Sequence, residues 1–381
     1  VAWTRWRGAN QDGHVAWLPK TLATQPQVAW ELSLAHAGLG GIAANRQYVV
    51  FGDRDLDDFN DLFRCHDAAT GEKIWEVQRL AIGALDYGNS PRATPTIIGE
   101  HVFCQGALGA LLCIRLADGK VVWERNLQDD FDRVGELPWG YCASPLWVDG
   151  KLIINPGAAD ASIVALDPKD GSLIWKTGGN GPGYGSLVAG ELGGRLQIVG
   201  HDAVSLGGWD VATGERLWTV KPPIEGDFNV PTPIFYRGDL LVVTENNGLR
   251  RFEFEADGKI VPNPKRVYER LRPDMSTPVV VGDRLFCVKD FLFCVDLASG
   301  LKEAWRMRDR AVGDYAAILA SETQLLVVGE GELLLLTGDG SDKIVARQKI
   351  FAQKLPLYSH PALVGRRLYI RGETKLLCLE L

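Results

Sequence analysis

Short apolar runs alternate with polar, glycine-bearing turns along the whole chain, and no apolar stripe of helical period is sustained. TPTIIGEHVFC (94–104), SPLWVDGKLII (144–154), TPIFYRGDLLVV (232–243), TPVVVGDRLFC (277–287) and HPALVGRRLYI (360–370) share one plan. Ser, Thr or His precedes a proline, a short apolar run follows, a Gly turn reverses the chain, and a second apolar run returns. Runs of this length bounded by Gly turns predict strands, and their recurrence predicts an all-β chain. Degenerate copies at 41–51, 186–199 and 316–328 bring the count to eight.

A second pattern recurs downstream of each copy. DAATGEKIW (67–75), RLADGKVVW (115–123), DPKDGSLIW (167–175), DVATGERLW (210–218) and DLASGLKEAW (296–305) place a turn glycine four or five residues before a tryptophan. EADGKIV (255–261) and TGDGSDKIV (337–345) keep the turn without the Trp. The turn glycines at 71, 119, 171, 214, 258, 300 and 340 are spaced by 40 to 52 residues, close to the ~40–50 of a four-stranded propeller blade. The eighth copy stops short of its turn, while Trp30 lies 45 residues before Trp75, on the same rhythm. An N-terminal strand over 28–34 is therefore predicted to supply the missing outer strand of the last blade. Closure of this kind removes exposed sheet edges.

The expectation is an all-β, eight-bladed β-propeller of four-stranded antiparallel blades, closed by pairing the first strand with the last. The whole chain forms one domain on this reading: an extension over 1–27, the closing strand over 28–34, and blades near 41–78, 93–127, 143–178, 185–221, 231–270, 277–308, 315–350 and 360–381. The repeat tryptophans 30, 75, 123, 175, 218 and 305 are expected to lie on outer strands and cover the neighbouring blade's turn. That leaves Trp3, Trp6, Trp17, Trp139, Trp147 and Trp209, of the 12 present, outside the rule.

Composition narrows the function. The chain has 381 residues, 46% hydrophobic and 23% charged, with a formal net charge of −7. The acidic balance lacks the electrostatic footprint of a nucleic-acid binder. No apolar run approaches the ~20 residues of a membrane-spanning helix. Seven cysteines are few and odd in number, so no disulfide framework is implied. Cys65, Cys113, Cys294 and Cys378 share one repeat position in different blades and read as small buried hydrophobes. Cys104/Cys113 and Cys287/Cys294 could face one another across hairpins.

The blade signature D-x-x-(T/S/D)-G-x-x-x-W resembles the repeat of the PQQ-like propellers, which include quinoprotein alcohol dehydrogenases and the outer-membrane assembly lipoprotein BamB. WTRWRGANQDG (3–13) is similar to the opening of secreted members of that set, whose role is unknown. The resemblance spans essentially the whole chain and implies fold more than activity. In the dehydrogenases PQQ sits in the central funnel on Ca²⁺, often stacked on a vicinal disulfide. This sequence has no adjacent cysteines and no long roofing insertions, so no cofactor is expected; PQQ and Ca²⁺ belong to the alternative, a quinoprotein alcohol, sugar or polymer dehydrogenase.

For a metal, the weak candidates are Asp53, Asp55 and Asp57 in GDRDLDDFNDLFR (52–64), where alternating carboxylates could chelate a hard cation. The loop lacks the Gly and Glu of an EF-hand, and a solvated acidic loop is the favoured reading. The histidines are scattered without metal-ligand spacing, and no nucleophile elbow or phosphate loop is present. One constellation remains. The segments joining one blade's outer strand to the next blade's inner strand converge on the channel mouth, and nearly every one carries an aromatic or Met. Tyr87, Asn89, Arg92, Trp139, Tyr141, Tyr184, Asn229, Asp274, Asp314, Tyr315, Tyr358 and His360, with Phe228 and Met275 among them, form the candidate ligand ring. The alternative at these positions is channel packing. The reading is a non-catalytic binding or scaffold protein that uses this face for a peptide, protein or glycan partner. A monomer in the periplasm, cell envelope or medium is expected, its signal peptide already removed, since the chain opens on Val1 rather than Met.

Overall fold

The structure is a computed structural model that describes residues 2–381; Val1, the residue on which the maturation expectation rests, lies outside them. Eight four-stranded antiparallel sheets form the blades of a propeller. Blades one to seven are built in chain order from inner to outer strand, and blade eight is completed by Gln27–Ser33 against Lys375–Glu380. Trp30 there stands opposite Cys378, as the repeat predicts. Among the described residues the single α-helical turn is Leu127–Asp130.

The repeat tryptophans act where the sequence places them. Trp30, Trp75, Trp123 and Trp175 donate their indole N–H to the carbonyls of Ala68, Leu116, Pro168 and Val211, at 3.3, 2.7, 2.9 and 3.1 Å, each in the turn of the next blade. The turn glycines have positive φ, and a Cβ at 71, 119 or 171 would stand 2.7–2.8 Å from the side chain of the docking Trp. Trp218 reaches the next turn indirectly: its N–H bonds Gln197 Oε1 (2.7 Å), whose amide bonds Gly258 O (2.7 Å).

Each repeat Trp is matched by a small residue on the adjacent strand: Cys65, Cys113, Ala165, Gly208, Cys294 and Cys378 pair with Trp75, Trp123, Trp175, Trp218, Trp305 and Trp30. The bulky ring needs the space a small neighbour leaves. Blade seven inverts the arrangement, with Leu335 opposite Ala346. Blade five departs further, because its outer strand Arg266–Tyr268 begins well after the Gly258 turn and carries no Trp.

The cross-hairpin cysteine pairs are corrected. All seven cysteines are free thiols. Cys104 pairs with Leu112 and Cys113 with Phe103; Cys287 pairs with Phe293 and Cys294 with Phe286. A one-residue offset puts the two thiols on opposite faces of the sheet.

The N-terminal extension proves to be part of the channel. Trp3 exchanges two backbone bonds with Ala44 (2.8 Å each), and Thr4 O accepts from Ile97 N (2.7 Å). Arg5 reaches Trp147 O (3.2 Å), Gln11 reaches Leu187 O (3.2 Å), Trp6 reaches Thr232 Oγ1 (3.0 Å) and Arg7 reaches Pro278 O (2.5 Å). Val15 N bonds Ala320 O (2.8 Å), and Trp3 and Trp6 pack on His360 at 5.8 and 5.1 Å. These partners lie on or just before the inner strands of blades one to eight in turn. Residues 3–15 therefore cross the central channel and touch every blade.

Candidate functional site

In a blade of this order, the blade-to-blade connections and the turns between second and third strands lie on one face, the funnel face. Inner-strand hydroxyls stitch neighbouring blades beneath it: Thr94 N donates to Ser144 Oγ (2.9 Å), Ser144 N to Ser186 Oγ (3.0 Å) and Thr232 N to Thr277 Oγ1 (3.0 Å). Ser144 and Thr277 use the hydroxyl before their prolines in this way, whereas Thr232 Oγ1 accepts from Trp6 and Thr94 Oγ1 has no partner. With residues 3–15 in the channel, the funnel has a floor of the chain's own side chains.

The twelve ring candidates divide on that floor. His360 is buried under Trp3 and Trp6, and burial with the nearby Arg7 cation holds its imidazole down at about 3. Tyr315 is buried, and its phenol is pushed up chiefly by desolvation. Tyr141 is buried in the core between blades two and three, its hydroxyl facing Pro156 O (3.4 Å). Asn89 accepts from Leu85 N (3.0 Å) and donates to Asp58 (2.8 Å); buried Asn229 donates to Asp202 O (3.2 Å). Arg92 turns inward onto the carbonyls of Asp86, Gly88 and Ser90 at 2.5–3.1 Å and shapes its own loop. These six serve packing or loop geometry.

The other six reach the surface in separate groups. Trp139 is half-buried between Tyr184 (4.7 Å) and Phe228 (4.6 Å), both accessible, so blades three to five share one aromatic cluster at the mouth. Asp274 and Asp314 are bridged by Lys289 Nζ at 3.0 and 3.4 Å. Tyr358 lies 5.9 Å from Tyr315, and Tyr87 is exposed at the rim of blades one and two. Beside the cluster lies a buried polar set without partners: both ring nitrogens of His201, Arg250 Nε and Glu245 Oε2. Burial and the Arg250 charge hold His201 down at about 4.

The acidic loop is not simply solvated, which corrects that expectation. Asp53 and Asp61 are buried with Arg371 (2.6 Å) and Arg54 (2.9 Å), and Asp53 also pairs with Arg64 (2.9 Å). Asp55 closes its own turn on Phe59 N and Asn60 N at 2.8 and 2.9 Å, and Asp57 faces solvent. Among the described residues no three His, Cys, Asp or Glu side chains are grouped to hold a metal. Sequence reasoning missed Trp6, Arg7 and His201. Trp6 and Arg7 find their partners in distant blades, His201 has none on either ring nitrogen, and no repeat marks any of the three.

A cleft of about 540 Å³ on the outer rim along blades one to three contains none of the candidates. Its two arginines are paired within it, Arg79 with Glu124 (2.5 Å) and Arg125 with Asp130 (2.7 Å).

Compared with known proteins, the chain matches the family described as outer membrane protein assembly factor BamB over residues 21–152 and 159–350. It is 24% identical over 374 residues to the BamB of Shewanella oneidensis, covering 92% of this chain and 87% of that protein. It is 20% identical over 210 residues to the quinohemoprotein alcohol dehydrogenase ADH-IIG of Pseudomonas putida, covering 48% of this chain but only 28% of that enzyme. In structure it superposes on BamB from Moraxella catarrhalis with a TM-score of 0.61 at 16% identity, covering 93% of this chain and all of that one. With the quinohemoprotein alcohol dehydrogenase from Comamonas testosteroni the TM-score is 0.69 at 13% identity, covering all of this chain and 80% of that one. These structural likenesses carry the fold alone.

Proposed function

Because the chain belongs to the family of outer membrane protein assembly factor BamB, we propose that it is a non-catalytic scaffold of the cell envelope that binds a protein partner on its funnel face. The observation that carries this reading is the Trp139–Tyr184–Phe228 cluster, aromatic and solvent-accessible at the mouth of a channel filled by residues 3–15. Aromatic side chains of this kind supply contact area at low conformational cost and dominate protein interfaces.

The alternative, a quinoprotein dehydrogenase, is favoured by the named activity of the Pseudomonas putida relative. Against it stand two observations: among the described residues no three His, Cys, Asp or Glu side chains are grouped, and no two cysteines are adjacent.

Two measurements separate the readings. Trp139→Ala with Phe228→Ser should leave the melting temperature within a few degrees while reducing crosslinking to envelope proteins. Adding PQQ and Ca²⁺ to the purified protein with alcohols or sugars should give no dye reduction; reconstituted turnover would refute the scaffold reading.

A further inference from the structure

The 52–64 insertion has a second side. The fold turns two of its carboxylates inward and two of its apolar side chains outward. Asp53 and Asp61 point inward to arginines, while Leu56 and Phe59 point out, 80% and 54% exposed. The strand partner and the following loop add Leu80, Ile82 and Tyr87, exposed by 72%, 68% and 77%. These five are more exposed than any other large apolar side chain of the described residues.

The five belong to one assembly. Asn60 pairs with Leu80 across the sheet, and Ala81 N bonds Phe59 O (2.9 Å). Arg54, fully buried, bonds Ala81 O (2.9 Å), Asp61 (2.9 Å) and Asp58 (2.7 Å). Asn89 joins Asp58 to the loop that carries Tyr87. Tyr87 is held at φ +65° and Asp58 at φ +57°, a region bulky side chains rarely adopt. A buried ionic frame thus holds an apolar knob rigidly outward, with little ordering left to be lost on binding. Scattered exposed apolar residues need no explanation, but a supported cluster marks an interaction surface.

The rim identifies the occupant. Asp57, Asp86 and Glu136 are exposed and carry no ion pair among the described residues; Asp86 N bonds Pro138 O (2.9 Å), which brings the 136–138 segment alongside. Of the cations alongside, Arg79 is paired with Glu124 (2.5 Å), and Arg92 keeps its charge but directs its guanidinium at carbonyls of its own loop. A second copy would set acidic rim against acidic rim, and an anionic lipid surface would be repelled. We propose that the knob of Leu56, Phe59, Leu80, Ile82 and Tyr87 is a docking surface for a basic, apolar segment of a partner protein. This rests on the protein-binding reading above and adds a second contact area and the partner's chemistry.

The test is selection of displayed random twelve-residue peptides on the whole protein, followed by fluorescence anisotropy of individual binders. Peptides combining Lys or Arg with Leu, Phe or Trp should be enriched. Their affinity should fall at least about tenfold in Phe59→Ser/Tyr87→Ser, the loss of one strong interfacial contact. Asp57→Asn/Asp86→Asn should weaken binding and flatten its salt dependence. Unchanged melting temperatures in both variants keep the loss assigned to the surface. Acidic binders, or no binders, overturn the proposal. Binders indifferent to the knob variants but lost in Trp139→Ala overturn it while leaving the funnel-face reading intact. Self-association at 100 μM that Phe59→Ser/Tyr87→Ser abolishes would assign the knob to a second copy, and also overturns it.

Discussion

Gly171 and Gly150 test what the blade signature is for. Both lie in the third blade's repeat and have nearly equal left-handed backbones, φ +73° and +72°. A Cβ at 150 meets nothing within 4 Å, whereas one at 171 would stand 2.8 Å from Cδ2 and Cε3 of Trp123, from the preceding blade. Gly150→Ala should therefore cost only the left-handed penalty, about 1–2 kcal/mol. Gly171→Ala adds displacement of the indole. Overpacking costs about 1–3 kcal/mol, and the Trp123–Pro168 bond at 2.9 Å is worth about 1 kcal/mol more. The expected difference between the two variants is about 2–4 kcal/mol. Urea unfolding followed by circular dichroism measures it. In a Trp123→Ala background, which itself costs about 3–5 kcal/mol, the ring is gone and Gly171→Ala should fall to the cost of Gly150→Ala. Equal costs in the wild-type background, or no coupling in the double variant, would falsify the docking account.

Three further outcomes follow from the same geometry. Deleting residues 2–20 while keeping the closing strand should lower the melting temperature markedly, whereas deleting 1–34 should abolish soluble folding by leaving Lys375–Glu380 as an open edge; a truncated chain that melts like the intact one refutes the closure. Arg371→Met removes one of the two arginines on buried Asp53, across the junction of blades eight and one, and should cost about 3 kcal/mol, Arg64 (2.9 Å) still holding the other carboxylate oxygen; Lys should rescue little, because it cannot reproduce the guanidinium fork that also holds Gly52 O and His36 O. Burial holds His360 and His201 down at about 3 and 4, so below pH 6.5 the unfolded chain binds protons that the folded chain refuses. Their contribution is fully present above pH 6.5 and is lost on acidification, at about 1.4 kcal/mol per pH unit for each histidine. Asp61, raised to about 6 mainly by desolvation, works the other way, its contribution full below 3.8 and lost as pH rises through about 6. Comparing His201→Gln with wild type between pH 7.5 and 5 cancels Asp61; an unchanged slope refutes the assignment.

The propeller was legible because its determinants are local and repeated. A turn glycine, a tryptophan four or five residues on, and a small residue opposite are all set by position within one blade. What was hidden is non-local. Trp6 and Thr232 are 226 positions apart, and Arg7 and Pro278 are 271 apart, with no motif to link them. No local pattern therefore shows that the centre of the candidate ring is filled by residues 3–15. The Asp residues at 53–61 read as a solvated loop because no local signal shows that Arg54 is buried with Asp61, and because Arg371, which takes Asp53, lies in another blade. Tyr141 and Tyr184 occupy similar loop positions, yet only the surrounding packing decides that one is core and the other accessible.

The channel segment also constrains when the protein can become itself. Residues 3–15 are synthesised before any blade they touch, but Ala320 and His360, two of their partners, come near the end of the chain. The earliest stretch must stay unengaged until nearly the last strand exists, and the same wait applies to Gln27–Ser33. Contacts of such sequence separation are slow to form. Once made, they bind the first residues to every blade, so a blade cannot detach without also pulling on the segment at the axis.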